Sequence, residues 1–195
     1  MNATAGPESG QIVMTTFIAL LRGINVGGHH KIPMSELRQL CEGLGYGHTQ
    51  TFIQSGNVVC TGSDEASAVE RKLEQAIATH FGFSTPVIVR TAKQWRAYLR
   101  GNPFLAASQR DPNLVLLGLS KSRPALGAVA ALRERAATGE KVAAVGDALW
   151  LYFASGVGRS KLSPAVIDRL VGSSVTARNW RTVQQLAAMA GLGST

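Results

Sequence analysis

Two stretches of this sequence are apolar on nearly every position of both faces: residues 17–24 (FIALLRGI) and 113–119 (NLVLLGL). A strand with one wet face alternates apolar and polar, so an apolar run of this length marks a central strand covered on two sides. Each run is followed by the same order of signals. After the first, Pro33 suits the opening turn of a helix to about Glu42, with Met34, Leu37, Leu40 and Cys41 on one stripe. Gly43 and Gly45 end it. Residues 49–55 and 57–61 then read as a hairpin about Gly56-Asn57, Asp64 as a helix cap, and Val69, Leu73, Ile77 and Phe81 as the buried stripe of that helix. Residues 84–90 (STPVIVR) make a fourth strand.

After the second run, Pro124 opens a helix carrying Leu126, Val129, Leu132 and Ala136. Residues 140–145 and 148–154 pair about Gly146-Asp147, Ser163 caps a helix begun by Pro164, and residues 173–177 form a strand. Residues 180–190 form a last helix. The predicted fold is therefore α+β: two successive βαββαβ (ferredoxin-like) units plus a C-terminal helix. The predicted division is a disordered tail over 1–13, a first unit over 14–91, a connector over 92–112 and a second unit with the terminal helix over 113–195.

Composition narrows the class. Hydrophobic content of 45% against 16% charged residues reads as globular. The net charge is +8, and residues 84–133 hold eight Lys or Arg against one acid, Asp111. Such a bias attracts anions at long range, and it equally suits a plain solvated basic surface. Only Cys41 and Cys60 are present, at a spacing matching no zinc or redox motif, so reduced thiols and a cytoplasmic location are expected. No run approaches the roughly 18 apolar residues of a membrane span, so no membrane partner is expected. Residues 1–11 lack the basic start and apolar stretch of a signal peptide.

Four loops can carry chemistry. Residues 22–31 (RGINVGGHHK) join a central strand to a helix; Gly23, Gly27 and Gly28 permit a nest of inward N–H groups, flanked by Arg22 and Lys31. The loop is neither a Walker A sequence nor a dinucleotide fingerprint, and the same glycines suit a tight connection. Residues 156–163 (GVGRSKLS) set Ser160 and Lys161 before a helix start, where a phosphate or carboxylate is favoured. Residues 54–57 (QSGN) contribute Ser55 and Asn57, and residues 176–182 (TARNWRT) contribute Arg178 and Asn179. None of the four contains an acid, which disfavours a two-carboxylate hydrolase or carboxylate-bound magnesium. His29 and His30 are adjacent and diverge on an extended backbone, so no metal site is expected, nor any cofactor.

The segments ALLRGINVGG, IPMSELRQL, LGY and TFIQSGNVV, with SKL and TARNWRTV near the end, resemble the bacterial domain-of-unknown-function 1697 family from Met14 onward. The resemblance implies a two-part α+β fold with a ferredoxin-like portion and no assigned activity. It implies that Arg22, Asn25, Gly27, Gly28, Ser55, Gly56, Asn57, Lys161, Arg178 and Asn179 belong to the shared motifs.

With the first and third strands of each unit taken as adjacent and parallel, the two glycine-rich loops fall at corresponding ends, and Ser55–Asn57 and Arg178 at the opposite ends. Head-to-tail packing then brings RGINVGG to Arg178-Asn179 and QSGN to Lys161. The leading expectation is an anionic ligand (nucleotide, nucleic acid or other phosphate) held between the units. The alternatives are an enzyme on a small phosphorylated or carboxylated substrate, with Lys161 as base if burial lowers its pKa, and a structural or interaction module whose motifs serve the joint between units.

Overall fold

A computed structural model of the chain describes residues 13–193; residues 1–12 of the expected tail lie outside the described residues. The first unit runs β1 (Thr15–Leu21), α1 (Met34–Gly43), β2 (Gly47–Phe52), β3 (Asn57–Gly62), α2 (Ala66–Phe81) and β4 (Val87–Thr91), then α3 (Ala92–Arg100). A short α4 (Leu105–Arg110) leads to β5 (Val115–Leu119), α5 (Ala128–Arg135), β6 (Lys141–Val145), β7 (Ala148–Tyr152), α6 (Pro164–Val171), β8 (Thr176–Asn179) and α7 (Trp180–Met189). The two four-stranded sheets have the orders β2-β3-β1-β4 and β6-β7-β5-β8, with every neighbour antiparallel. Both are ferredoxin-like.

Alternation along the strands builds three cores from these two sheets. Phe17, Ala19 and Leu21 of β1 face α1 and α2, where Leu37, Cys41, Val69, Leu73 and Ile77 are buried. Leu149 and Leu151 of β7 face α5 and α6, meeting Leu132, Ile167 and Val171. The other faces, Ile18 and Leu20 on one sheet and Leu117 and Trp150 on the other, share a central core with Trp95 of α3 and Trp180, Val183 and Leu186 of α7. The chain is thus five layers deep. The second apolar face of each central strand is covered by the helix pair α3 and α7 and by the opposite unit. The Trp95 indole N–H donates to the Val183 carbonyl at 3.1 Å, tying the two helices inside that core.

Several local expectations change. The first and third strands of each unit are antiparallel, so the end of β1 lies beside the start of β3. The RGINVGG and QSGN loops therefore share one end of their sheet, and the two glycine-rich loops lie at opposite ends of their units. The first hairpin turns through residues 53–56, with Asn57 already in β3 opposite Phe52. Asn57 spends its side chain bracing that four-residue turn, its amide donating to the Phe52 carbonyl and to Ser55 Oγ. Pro124 does not open α5, which begins after Gly127 in the left-handed region. Asp64 does not cap α2; it accepts from Tyr46 and Lys72 instead, and Glu65 takes the cap position. The connector holds α3 and α4, and α3 follows β4 as α7 follows β8. Each unit is thus βαββαβ with its own trailing helix.

Candidate functional site

Four of the motif residues, Arg22, Ser55, Asn57 and Arg178, meet at the joint between the units. From the end of β1, Arg22 reaches into the second unit: its Nη1 donates to Asp168 Oδ1 at 2.8 Å and to the Val175 carbonyl at 2.7 Å, and its Nη2 lies 2.6 Å from Asp168 Oδ2. From β8, Arg178 reaches back. Its Nε donates to Asn57 Oδ1 at 2.5 Å, and its Nη2 to the Leu21 carbonyl at 2.7 Å and the Ser55 carbonyl at 2.9 Å. Asn57 is fully buried. No carboxylate contacts Arg178 among the described residues, and burial pulls its guanidinium down to about 10. It stays charged at neutral pH, held by fixed carbonyl and amide dipoles.

A second set of contacts repeats this geometry with the units exchanged. Arg90 in β4 occupies the place of Arg178 in β8: each is one residue before the N-cap of the trailing helix, and each donates Nη1 to the preceding carbonyl at 2.9 Å. Arg90 Nη2 donates to the Ser120 carbonyl at 2.6 Å, the counterpart of Leu21, and its Nε to Asp147 Oδ2 at 3.2 Å in the β6–β7 turn. Tyr98 donates to the same carboxylate. Lys121 takes the place of Arg22 and pairs with Glu74 of α2 at 2.7 Å. Asp168 and Glu74 also play one role, accepting the N–H of Val175 and Val87 at the start of the fourth strands. The chain therefore closes on itself through a clasp made twice, about an approximate two-fold axis.

The other predicted residues are spread over the surface or serve local structure. Asn25, at φ 56°, closes the base of its loop: its amide donates to the carbonyls of Ile32 at 3.0 Å and Gln54 at 2.8 Å, and its Oδ1 accepts from the Ile32 N–H. Gly27 and Gly28, both at positive φ, form the tip of a miniature hairpin bridged by Val26 and His29 and point into solvent. Lys31 and Lys161 are exposed and without hydrogen-bond partners among the described residues. The QSGN turn meets Arg178, not Lys161. Asn179 caps α7, accepting from the Thr182 N–H at 2.9 Å. Burial pushes the Cys41 and Cys60 thiols up to about 12, which leaves both inert as nucleophiles.

Ser160 donates to Glu140, which also accepts the Thr138 N–H at 2.8 Å, so this serine latches its own loop. Chiefly through that Ser160 hydrogen bond, the Glu140 carboxyl is held down at about 2 from an ordinary 4.5. A depressed folded-state pKa adds stability above the unfolded value and loses it as pH falls through the folded one. The stability gap between wild type and Glu140→Gln is expected to be full at neutral pH and to close between about 4.5 and 2. Thermal melts of the two proteins across that range test it; a gap independent of pH would remove Glu140 from the account.

The acids absent from the motif segments are supplied from elsewhere: Asp168, Asp147, Glu74 and Glu140. Sequence reading missed Arg90 and Asp147 as partners. The signal was present as VIVRT and VTARN, two strand ends in which an arginine precedes a helix cap.

Beside the Arg90–Lys121 half of the clasp the joint opens. A cavity of about 440 Å³ is lined by Arg90, Lys121 and Arg123 with Ser67, Glu70 and Asp147. A neighbouring one of about 640 Å³ shares Lys121 and adds Arg71, Glu74, Thr85, Ser173 and Ser174. Arg90 is held by Asp147 and Glu70, and Lys121 by Glu74, while Arg123 has no ionic partner among the described residues. No group of three or more His, Cys, Asp or Glu is placed to hold a metal among the described residues. No described helix is long and apolar enough to cross a membrane.

The family model for "Protein of unknown function (DUF1697)" matches residues 14–150. The chain belongs to this family. The DUF1697 match takes in the RGINVGG and QSGN segments, Arg90, Lys121 and Asp147, and stops within β7, before TARNWRTV. A solved structure of a conserved bacterial protein from Streptococcus pneumoniae is similar at 25% identity and a TM-score of 0.72, over 91% of this chain and 99% of that one. That coverage necessarily runs past residue 150, where the family match ends. Among the curated proteins, none matches the chain.

Proposed function

We propose that this DUF1697 protein binds a phosphate-bearing anion in the open cleft between its two units, at the Arg90–Lys121 half of the clasp. One observation carries the reading: three cations from two units, Arg90, Lys121 and Arg123, line one cavity of a size that suits a small molecule. Arg90 and Lys121 are held in place by Asp147 and Glu74, so they are positioned before a ligand arrives. Lys121 has three donors and uses one on Glu74, and Arg123 is uncommitted. The motif residues Arg22, Asn57 and Arg178 fix how the two walls of the cleft stand. A cytoplasmic setting belongs to this reading, supported by two buried free thiols. The catalytic alternative loses support, because Lys161 is exposed and lacks the burial a lysine base requires.

The test is a thermal-shift series with inorganic phosphate and with nucleoside mono- and triphosphates on wild type, Arg123→Ala and Lys121→Ala. A ligand at a hundred times its Kd stabilises by about 2.7 kcal/mol. For a chain of this length that is a rise of about 5–10 °C. The rise should be lost or much reduced in both variants. No rise with any phosphate compound, or equal rises in wild type and Arg123→Ala, would overturn the assignment.

A further inference from the structure

The two trailing helices, α3 and α7, hold equivalent places, and their solvent-facing positions correspond. Counting from Arg90 and Arg178, Lys93, Arg96 and Arg100 of α3 stand where Arg181, Gln184 and Ala188 stand in α7, and all six are exposed. On α3 the spacing i, i+3, i+7 sets the three cations on one face, opposite the buried Trp95 and Tyr98. α3 contains no acid, and none of the three cations forms a hydrogen bond or ion pair among the described residues. The fold requires an exposed face on each helix but not a basic one, as α7 demonstrates. Like charges at these spacings repel; the helix dipole disfavours Lys93 in the first turn and favours Arg100 in the last, so the repulsion is left as the net cost of the stripe.

We infer that the Lys93–Arg96–Arg100 face of α3 is a docking surface for a nucleic-acid phosphate backbone; α3 lends Gln94 to the cleft between the units, but these three cations do not line it. The three residues span roughly 10 Å of helix axis. A duplex strand offers a phosphate every ~3.4 Å of its axis, so three contacts fit that length. The face has no aromatic or amide side chain to read bases, so binding is indifferent to sequence and governed by salt.

The experiment is fluorescence anisotropy of the full chain with labelled single-stranded and duplex oligonucleotides over a salt series. Three phosphate contacts give a slope of log K against log salt of about −2.7, or a loss of about 40-fold between 50 and 200 mM salt. The triple variant Lys93→Gln, Arg96→Gln, Arg100→Gln, shown folded by its melting curve, should lose that binding, whereas Arg181→Gln should keep it. Arg123→Ala should keep it too, which separates this surface from the cleft. No binding at low salt, binding unchanged in the triple variant, or binding only to anionic lipid vesicles would each overturn the inference.

Discussion

Arg178→Ala is expected to lower the melting temperature by about 6–12 °C. The change removes every donor that satisfies Asn57 Oδ1 and takes one from each of the Leu21 and Ser55 carbonyls, at a joint that is largely closed to water. A buried polar group left unpaired costs about 1–3 kcal/mol, and charge-assisted hydrogen bonds are the stronger kind. About 3 kcal/mol in total is a conservative expectation, and each kcal/mol moves the midpoint of a chain this size by about 2–4 °C. Arg178→Lys should recover only part of the loss, because an ammonium cannot reproduce a planar fork aimed at three oxygens, at the end of β1, in the hairpin turn and at the start of β3. An unchanged midpoint in Arg178→Ala would mean that the arginine does not hold the units together. Asn57→Ala makes an independent check from the other side, since it removes the buried acceptor and also the amide that closes the turn onto Phe52.

Gly56→Ala is expected to cost about 2–5 kcal/mol, from left-handed backbone strain of about 1–2 and overpacking of about 1–3. Gly56 has φ +76°, and a Cβ there would stand 2.8 Å from Leu21 Cβ and 2.6 Å from Ile24 Cδ1. The isoleucine tip can turn aside, but the leucine Cβ is fixed to β1. Gly27→Ala is the control: its φ is +60°, yet nothing lies within 4 Å of the added carbon. It should cost only the backbone strain, about 1–2 kcal/mol. Urea unfolding of both variants separates the two contributions. Equal losses would show that the contact with Leu21 is relieved without cost.

The fold was legible because hydrophobic pattern is a local property. The runs at 17–24 and 113–119, the stripe from Val69 to Phe81 and the caps at Ser163 and Asn179 each state their structure within a dozen residues. The site was only partly legible. Arg22, Asn57 and Arg178 stood out by motif, but their partners depend on which sheet ends meet, and one wrong strand direction reversed that geometry. Treating β1 and β3 as parallel separated Arg22 from the QSGN turn, which the antiparallel register sets side by side. Asp168 sits in a helix whose sequence carries no sign of an inter-unit role, and Glu74 looks like any solvent-facing glutamate of an amphipathic helix. Their function exists only once the second unit is in place. The basic segment at 84–133 was visible as composition, but its division into a buried clasp residue, two cleft residues and an exposed helix face was not.

The twofold clasp has a consequence for how freely the two halves can diverge. Two separate proteins meeting through such a joint would incur an association cost of about 4–15 kcal/mol at each encounter. Here residues 101–114 keep the halves permanently at high mutual concentration, so the joint need not be tight everywhere. One copy of the contact set can keep its arginine wrapped in neutral oxygens while the other loosens around Lys121. The same slack accommodates α6 at 8 residues opposite α2 at 16. Tethering thus frees one side of an approximately symmetric contact from the duty of cohesion, and that side is where the molecule has room for something else.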